Sequence, residues 1–234
     1  MRVLGSAKLA FGTALLGVLW ADPDRVVVLQ RLGADFRVSV VDTRRLRVVS
    51  RARLAGGTVV DAGRTSSGVA LLLGPNYEIG PARLLLVGAR GGVRQIGLGT
   101  IRAGAAWHEG TPPVGNQWSP ALAADRNSDT VYVVSTEGSV AEVGVASATV
   151  TFRTLRGRFA KVFAGASRDA FFLDGRIVVT GEAMELTTAI DGAVGGATTP
   201  FGLETIDPSS WQVTRIAPAV SDARPWGSAI VTTG

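Results

Sequence analysis

The residue with the widest chemical repertoire in this chain is His108, the only histidine among 234 residues. It stands between Trp107 and Glu109, with Trp118 further along the same Gly- and Pro-rich stretch. An imidazole can pass a proton near neutral pH, but a histidine triad also needs a nucleophile and an orienting carboxylate beside it. Nothing in the spacing supplies that set, so no catalytic residue is assigned. Two indoles, an imidazole and a carboxylate in one loop predict instead a binding rim of Trp107, His108, Glu109 and Trp118. The competing expectation is a surface loop with one aromatic ring anchored on the sheet below. Cysteine is absent, which removes disulfides, thiolate catalysis and Cys-ligated metals. No P-loop, dinucleotide fingerprint or HExxH pattern is present, and no cofactor is expected. The nearest approach to a calcium loop, Asp125-Arg126-Asn127-Ser128-Asp129, carries an arginine in its middle, so no metal site is assigned.

Four aspartates open tight turns: Asp22, Asp42, Asp125 and Asp207. A short carboxylate there can accept backbone N–H groups two or three residues on and hold the turn. Their expected role is structural. Arg45, Arg47, Arg51 and Arg53 fall on one face of a strand at period two. They could contact phosphate, but charged side chains on an outermost strand also oppose edge-to-edge pairing, and that is the expected role. No aromatic residues interleave with them to form a stacking platform, so nucleic acid is not the expected partner.

These residues must be positioned by short strands. From Leu122 to Leu155 the chain reads as four extended runs, each closed by a turn: Leu122 to Ala124, Val131 to Val134, Val140 to Val145 and Val150 to Leu155. The same grammar recurs. Residues 15–54, 57–101, 118–156 and 159–217 each read as a four-stranded antiparallel unit. Ala103 to Pro120 reads as a long loop and Glu182 to Pro200 as an insertion. The third-to-fourth turn recurs at Asp42, Ala89, Val145 and Asp207, at spacings of 47, 56 and 62. A constant four-strand unit with variable loops is the pattern of propeller blades.

At this point a resemblance emerges. Val38-Ser39-Val40-Val41-Asp42-Thr43, then Val48-Val49 and Gly56, resembles the blade signature of the YVTN-type propeller repeats. Val131-Tyr132-Val133 is similar to the strand that names that family, and Ile206-Asp207-Pro208 with Val213 repeats the first pattern. The third unit departs from it, with Gly144-Val145 where the aspartate would stand. The resemblance implies an all-β fold, a β-propeller of about four recognisable blades. Residues 1–14 read as a preceding strand or a weak signal-like segment, and 218–234 as the first strand of a further blade or a ring-closing strand. Together they predict an open fragment of a larger propeller, with a closed four-blade ring as the rival.

Two functions fit such a chain. The first is a non-enzymatic binding or interaction module, with an unidentified protein or small molecule at the channel mouth or blade loops. The second is a propeller-class enzyme, a lactonase-like hydrolase or a lyase. The discriminating feature is whether Glu78, His108, Glu109, Asn116 and Glu182 converge on the axis. Net charge is +5, and it is uneven. Residues 1–53 hold ten basic groups against four acidic, whereas residues 160–234 hold five against eight. No apolar run reaches the length of a membrane span, and both cytoplasmic and exported locations fit the composition.

Overall fold

The computed structural model describes residues 15–76, 78–108, 114–160, 166–188 and 194–233, with backbone alone at 106–108, 114–116, 184–188 and 194–197. Every regular element among them is a strand. The first sheet pairs β1 (Leu15–Asp22), β2 (Arg25–Leu32), β3 (Asp35–Asp42) and β4 (Arg47–Leu54) in chain order, all antiparallel. The second begins with β5 (Thr58–Arg64), β6 (Gly68–Gly74), β7 (Ile79–Gly88) and the first half of β8 (Val93–His108). β9 (Val114–Ser119) follows, and then a third four-stranded sheet: β10 (Ala121–Asp125), β11 (Thr130–Val134), β12 (Ser139–Gly144) and β13 (Val150–Thr154). The fourth is β14 (Ala166–Leu173), β15 (Arg176–Thr188), β17 (Leu203–Ile206) and β18 (Val213–Ala217), with β16 (Val194–Pro200) paired along the far half of β15. A two-stranded ribbon, β19 (Asp222–Trp226) and β20 (Ala229–Thr233), ends the described chain. The architecture is an all-β propeller built from four-stranded antiparallel blades.

Three segments differ from the sequence expectation. Ala103 to Pro120 is a strand hairpin, because β8 runs on to His108 and pairs with β9. Glu182 to Pro200 is likewise β15 extended against β16. Trp226 to Thr232 is not one strand. A left-handed turn at Gly227, with φ of 63°, folds it back on Asp222–Trp226.

The blades stack through their faces. Successive strand residues point to opposite faces, so a sheet packed on both sides needs unbroken apolar runs. The second blade shows this most clearly. Leu71, Leu73 and Leu85 pack on Val27, Leu29 and Val38 of the first blade. Leu72, Leu84 and Leu86 pack on Val131, Val133 and Val143 of the third. Each such leucine contributes roughly 1.5–3 kcal/mol by leaving water. Tyr132 carries the third blade onto the fourth. Its ring stacks on Phe172 at 5.8 Å and meets Trp211 edge-on at 6.2 Å. Burial pushes the Tyr132 hydroxyl up to about 12. Val178 and Leu203 of the fourth blade pack on Ala223 and Ile230 of the ribbon. Among the described residues no core cluster and no strand pairing joins the first blade to the fourth or to the ribbon, so the sheets form an open series. Val18 and Trp20 on the first blade and Trp226 on the ribbon are exposed. The expectation for 1–14 lies outside the described residues.

One polar contact ties two inner strands. Asp61, on β5, accepts the Leu122 N–H through Oδ2 and the Ala62 N–H through Oδ1, both at 2.7 Å. Burial pushes its carboxyl up to about 6 against these two N–H bonds, with added repulsion from Asp169 and opposing attraction from Arg224. Asp61 therefore senses charges on β14 and β19.

β4 is the outermost strand of its blade, and Arg45, Arg47, Arg51 and Arg53 are all exposed. They do not share one face. Arg45 lies in the turn, and an extra residue at Val49, a β-bulge, places Arg47 on the face opposite Arg51 and Arg53. Arg53 pairs with Asp35 at 2.7 Å.

Two outcomes follow from this arrangement. Charge reversal at Arg45 and Arg47 should shift unfolding in a urea melt by no more than about 0.5 kcal/mol at each surface site, and a loss of several kcal/mol would show that these side chains are buried or paired. Asp61 gives a pH signature. Its folded pKa lies above the unfolded one, so its stabilisation is complete below about pH 4 and is lost as pH rises through about 6, by at most about 3 kcal/mol. Melts of the wild type at pH 4.5 and 7.5 should differ more than those of Asp61→Asn. Equal differences in the two proteins would show that Asp61 does not titrate in this window.

Candidate functional site

The stretch read as a binding rim is the base and arms of the β8–β9 hairpin. β8 starts as the outer strand of the second blade, and an irregularity that includes Gly99, whose φ is 54°, interrupts its pairing with β7. Its second half pairs β7 again, with Arg102 opposite Pro81 and Gly104 opposite Ile79, and then pairs β9 from Gly104–Trp118 to His108–Val114. At Gly104 φ is 112°, and a Cβ there would collide with the Glu78 carbonyl oxygen, so this close approach requires glycine. Trp118 is 7% exposed, and the Arg102 guanidinium lies 4.8 Å above its ring. Its indole is thus the packed anchor of the hairpin base, a cation–π contact sealing one side. Beside it Ser119 pairs Ser167 in parallel, fastening the hairpin to the fourth blade. Trp107 and His108 belong to β8, but their side chains, like all of Glu109, lie outside the described residues.

Below the hairpin is a cleft of about 310 Å³. Three parts of the chain meet there: Arg31 from the first blade, Thr58, Val59 and Val60 from β5 with Asn76 from the loop after β6, and Gly104, Ala105, Gln117 and Ser119 from the hairpin. Thr58 Oγ1 donates to Asn76 Oδ1 at 3.2 Å, Asn76 Nδ2 donates to the Ala34 carbonyl at 3.3 Å, and Gln117 Nε2 donates to Ser119 Oγ at 2.7 Å. Arg31 differs. Its Nε is buried and has no hydrogen-bond partner among the described residues.

A second, deeper polar group lies between the third and fourth blades. Arg168 is 4% exposed, with its guanidinium 4.2 Å from the Phe159 ring and 4.4 Å from the Phe201 ring. Its Nη2 donates to the carbonyls of Ala160 and Thr136. Burial brings its pKa down to about 10, while the Glu204 carboxylate acts in the opposite sense. Burial raises the Glu204 pKa, opposed chiefly by Arg168, and Glu204 Oε1 accepts the Ala160 N–H at 3.3 Å. This group is a strut between blades, closed from the surface.

The four turn aspartates each accept a local N–H: Asp22 from Asp24 at 2.8 Å, Asp42 from Arg45 at 2.8 Å, Asp125 from Asn127 at 2.9 Å and Asp207 from Ser209 at 2.9 Å. The Arg45 N–H holds the Asp42 carboxyl below its ordinary range, and the Ser209 hydroxyl does the same for Asp207. At the turn end of the first blade Asp22, Asp24 and Asp42 share a charged cleft with Arg25, Arg44, Arg45 and Arg90, where Arg44 pairs Asp24 at 2.6 Å. Of the groups tested for convergence, Glu78 is exposed in the loop after β6, and Glu182 sits on β15 opposite Ser167. The side chains of His108 and Asn116 and the whole of Glu109 lie outside the described residues. Among the described residues no three His, Asp or Glu side chains gather as a metal site. No described helix is long and apolar enough to cross a membrane.

Arg31, Asp61 and Arg168 are the groups that sequence reasoning passed over. Asp61 had a visible signal, a lone carboxylate inside the apolar run Thr58-Val59-Val60-Asp61-Ala62. Arg168 had a weaker one, Arg168-Asp169 at the start of an apolar strand. Arg31 had none.

No family model matches the sequence, and no curated protein matches it. Solved structures do. The chain is similar in fold to the dihydro-heme d1 dehydrogenase NirN in complex with DHE, at a TM-score of 0.51 and 10% identity over 93% of this chain and 42% of that one. The WD40 repeats of RRP9 align at 0.49 and 13% identity, over 91% of this chain and 55% of that one. The β-propeller domain of Cps50 (Swd1) from Myceliophteria thermophila aligns at 0.44 and 13%, over 72% and 50%. The chain thus spans about half the length of these structures. At such identities the likeness concerns the fold alone.

Proposed function

We propose that the chain is a non-enzymatic binding module of the propeller class, with its ligand held in the cleft beneath the β8–β9 hairpin. The observation that carries this reading is the composition of that cleft. Two side-chain amides, two hydroxyls and one guanidinium from three separate parts of the chain surround a space floored by Val59, Val60 and Ala105. Amides and hydroxyls orient a ligand by hydrogen bonds, and none of them is a base near neutral pH. At 310 Å³ the space suits a small ligand or the tip of a larger one. Trp107, His108 and Glu109, the rim residues read from sequence, would extend over a bound partner, and Trp118 would hold the hairpin in place. On the motifs quoted above we also place the first, third and fourth blades with the YVTN-type repeats.

The test fills the cleft. Ala105→Phe puts a ring into the space from a position that tolerates some exposure. A panel of small acids, amides, sugars and lactones is screened by thermal shift, and each mixture is followed by NMR. The expected outcome is a ligand that raises the melting temperature of the wild type but not of the Ala105→Phe variant, and that is recovered unchanged. Steady consumption of a lactone by the wild type, abolished in the variant, would establish the enzyme reading in its place.

A further inference from the structure

We propose that this cleft takes the carboxylate of a compact organic acid, with Arg31 as its anion-binding group; the inference rests on the cleft being the binding mouth. Arg31 lies near the end of β2, on the strand face shared with Val27 and Leu29, which is the face turned to the second blade. The guanidinium is therefore aimed along the seam between the two blades into the cleft. Its Nε is buried without an acceptor, and no ion pair or hydrogen bond engages the side chain among the described residues. Two other arginines near this end have partners of their own. Arg83 Nη2 donates to the Gly56 carbonyl, and Arg53 pairs Asp35. The Arg31 side chain lines the cleft, and the planar fork of guanidinium N–H donors matches the two oxygens of a carboxylate.

The surroundings select among anions. No carboxylate is among the described lining residues, so nothing there competes for Arg31. No second cation is among them either, which suits a monoanion better than a phosphate dianion. The charged cleft at the opposite turns offers the contrast, since its three carboxylates accompany its four arginines. Val59, Val60 and Ala105 give a short apolar wall for a two- or three-carbon body. Asn76, Gln117, Thr58 and Ser119 stand ready for one further polar group. The ligand class is thus a small carboxylic acid, either free or as the end of a longer molecule.

The experiment uses propionate, propionamide, inorganic phosphate and a tripeptide with a free C-terminus, titrated by calorimetry at pH 7 and low ionic strength. The proteins are the wild type, Arg31→Gln, Arg31→Lys and Ala105→Phe, each shown to melt cooperatively without ligand. Propionate should bind the wild type saturably and propionamide should not. Arg31→Gln should weaken propionate at least tenfold, and Arg31→Lys should recover part of that loss, because charge returns without the fork. Tighter binding of the tripeptide than of propionate identifies a peptide end as the source, and the reverse identifies the free acid; both support the proposal. Saturable phosphate binding with no propionate binding overturns the ligand class. Unchanged propionate affinity in Arg31→Gln overturns the role of Arg31. If Ala105→Phe still abolishes that binding, the mouth stands and only the anion site falls. If neither variant matters, the mouth falls too.

Discussion

The inner blades of this chain are stabilised by having both faces covered, and that constraint organises the rest. A single four-stranded sheet with one dry face is marginal in water, and stacking turns each sheet into the lid of its neighbours. Val69 to Leu73 and Leu84 to Val87 are apolar without interruption because the second blade lies between two others. In the first blade Val27, Leu29, Val38 and Val40 face the second blade, while Val26, Val28, Val41 and Val48 form a smaller cluster on the other face, on which no further blade packs among the described residues. Some of the polar groups that enter the seams tie one blade to the next. Asp61 does so between the second and third blades, and Arg168 with Glu204 does so between the third and fourth.

The same stacking creates the cleft. Twisted sheets packed face to face diverge toward their ends. At one end of the seam between the first two blades the β8–β9 hairpin borders the gap. Gly104 permits its close approach to β7, and Trp118 under Arg102 anchors it. The candidate site is therefore a by-product of the packing that the hairpin walls on one side, and Arg31 lines it from the neighbouring blade.

Local chemistry made the blades legible. Runs such as Val131-Tyr132-Val133-Val134 and turns such as Asp207-Pro208-Ser209-Ser210 carry their conformation in their own residues. The two long hairpins were not legible, because Ala103 to Ala106 and Val194 to Ala197 have weak strand propensity and become strands through pairing with distant segments. The arginine stripe was misread for a related reason. A bulge at Val49 adds one residue and flips the faces, and nothing in the spacing announces it. Trp107, His108 and Trp118 lie on the β8–β9 hairpin, yet the cleft beside it draws on Arg31 from another blade and on Asn76 from another loop. An arginine in a chain rich in arginine has no local mark, and its significance lies in having no partner among the described residues, a property of the folded state alone.

The most direct measurement of the central claim is a ¹⁵N NMR titration of the arginine Nε–H resonances with propionate. Most arginine side chains here are solvent-exposed or paired, so their signals should hold still or exchange too fast to see. The account predicts that the Arg31 Nε–H moves downfield and saturates, together with the Gln117 and Asn76 side-chain amides. Shifts confined to Arg44, Arg45 or Arg90 at the turn end, with Arg31 unmoved, would contradict it.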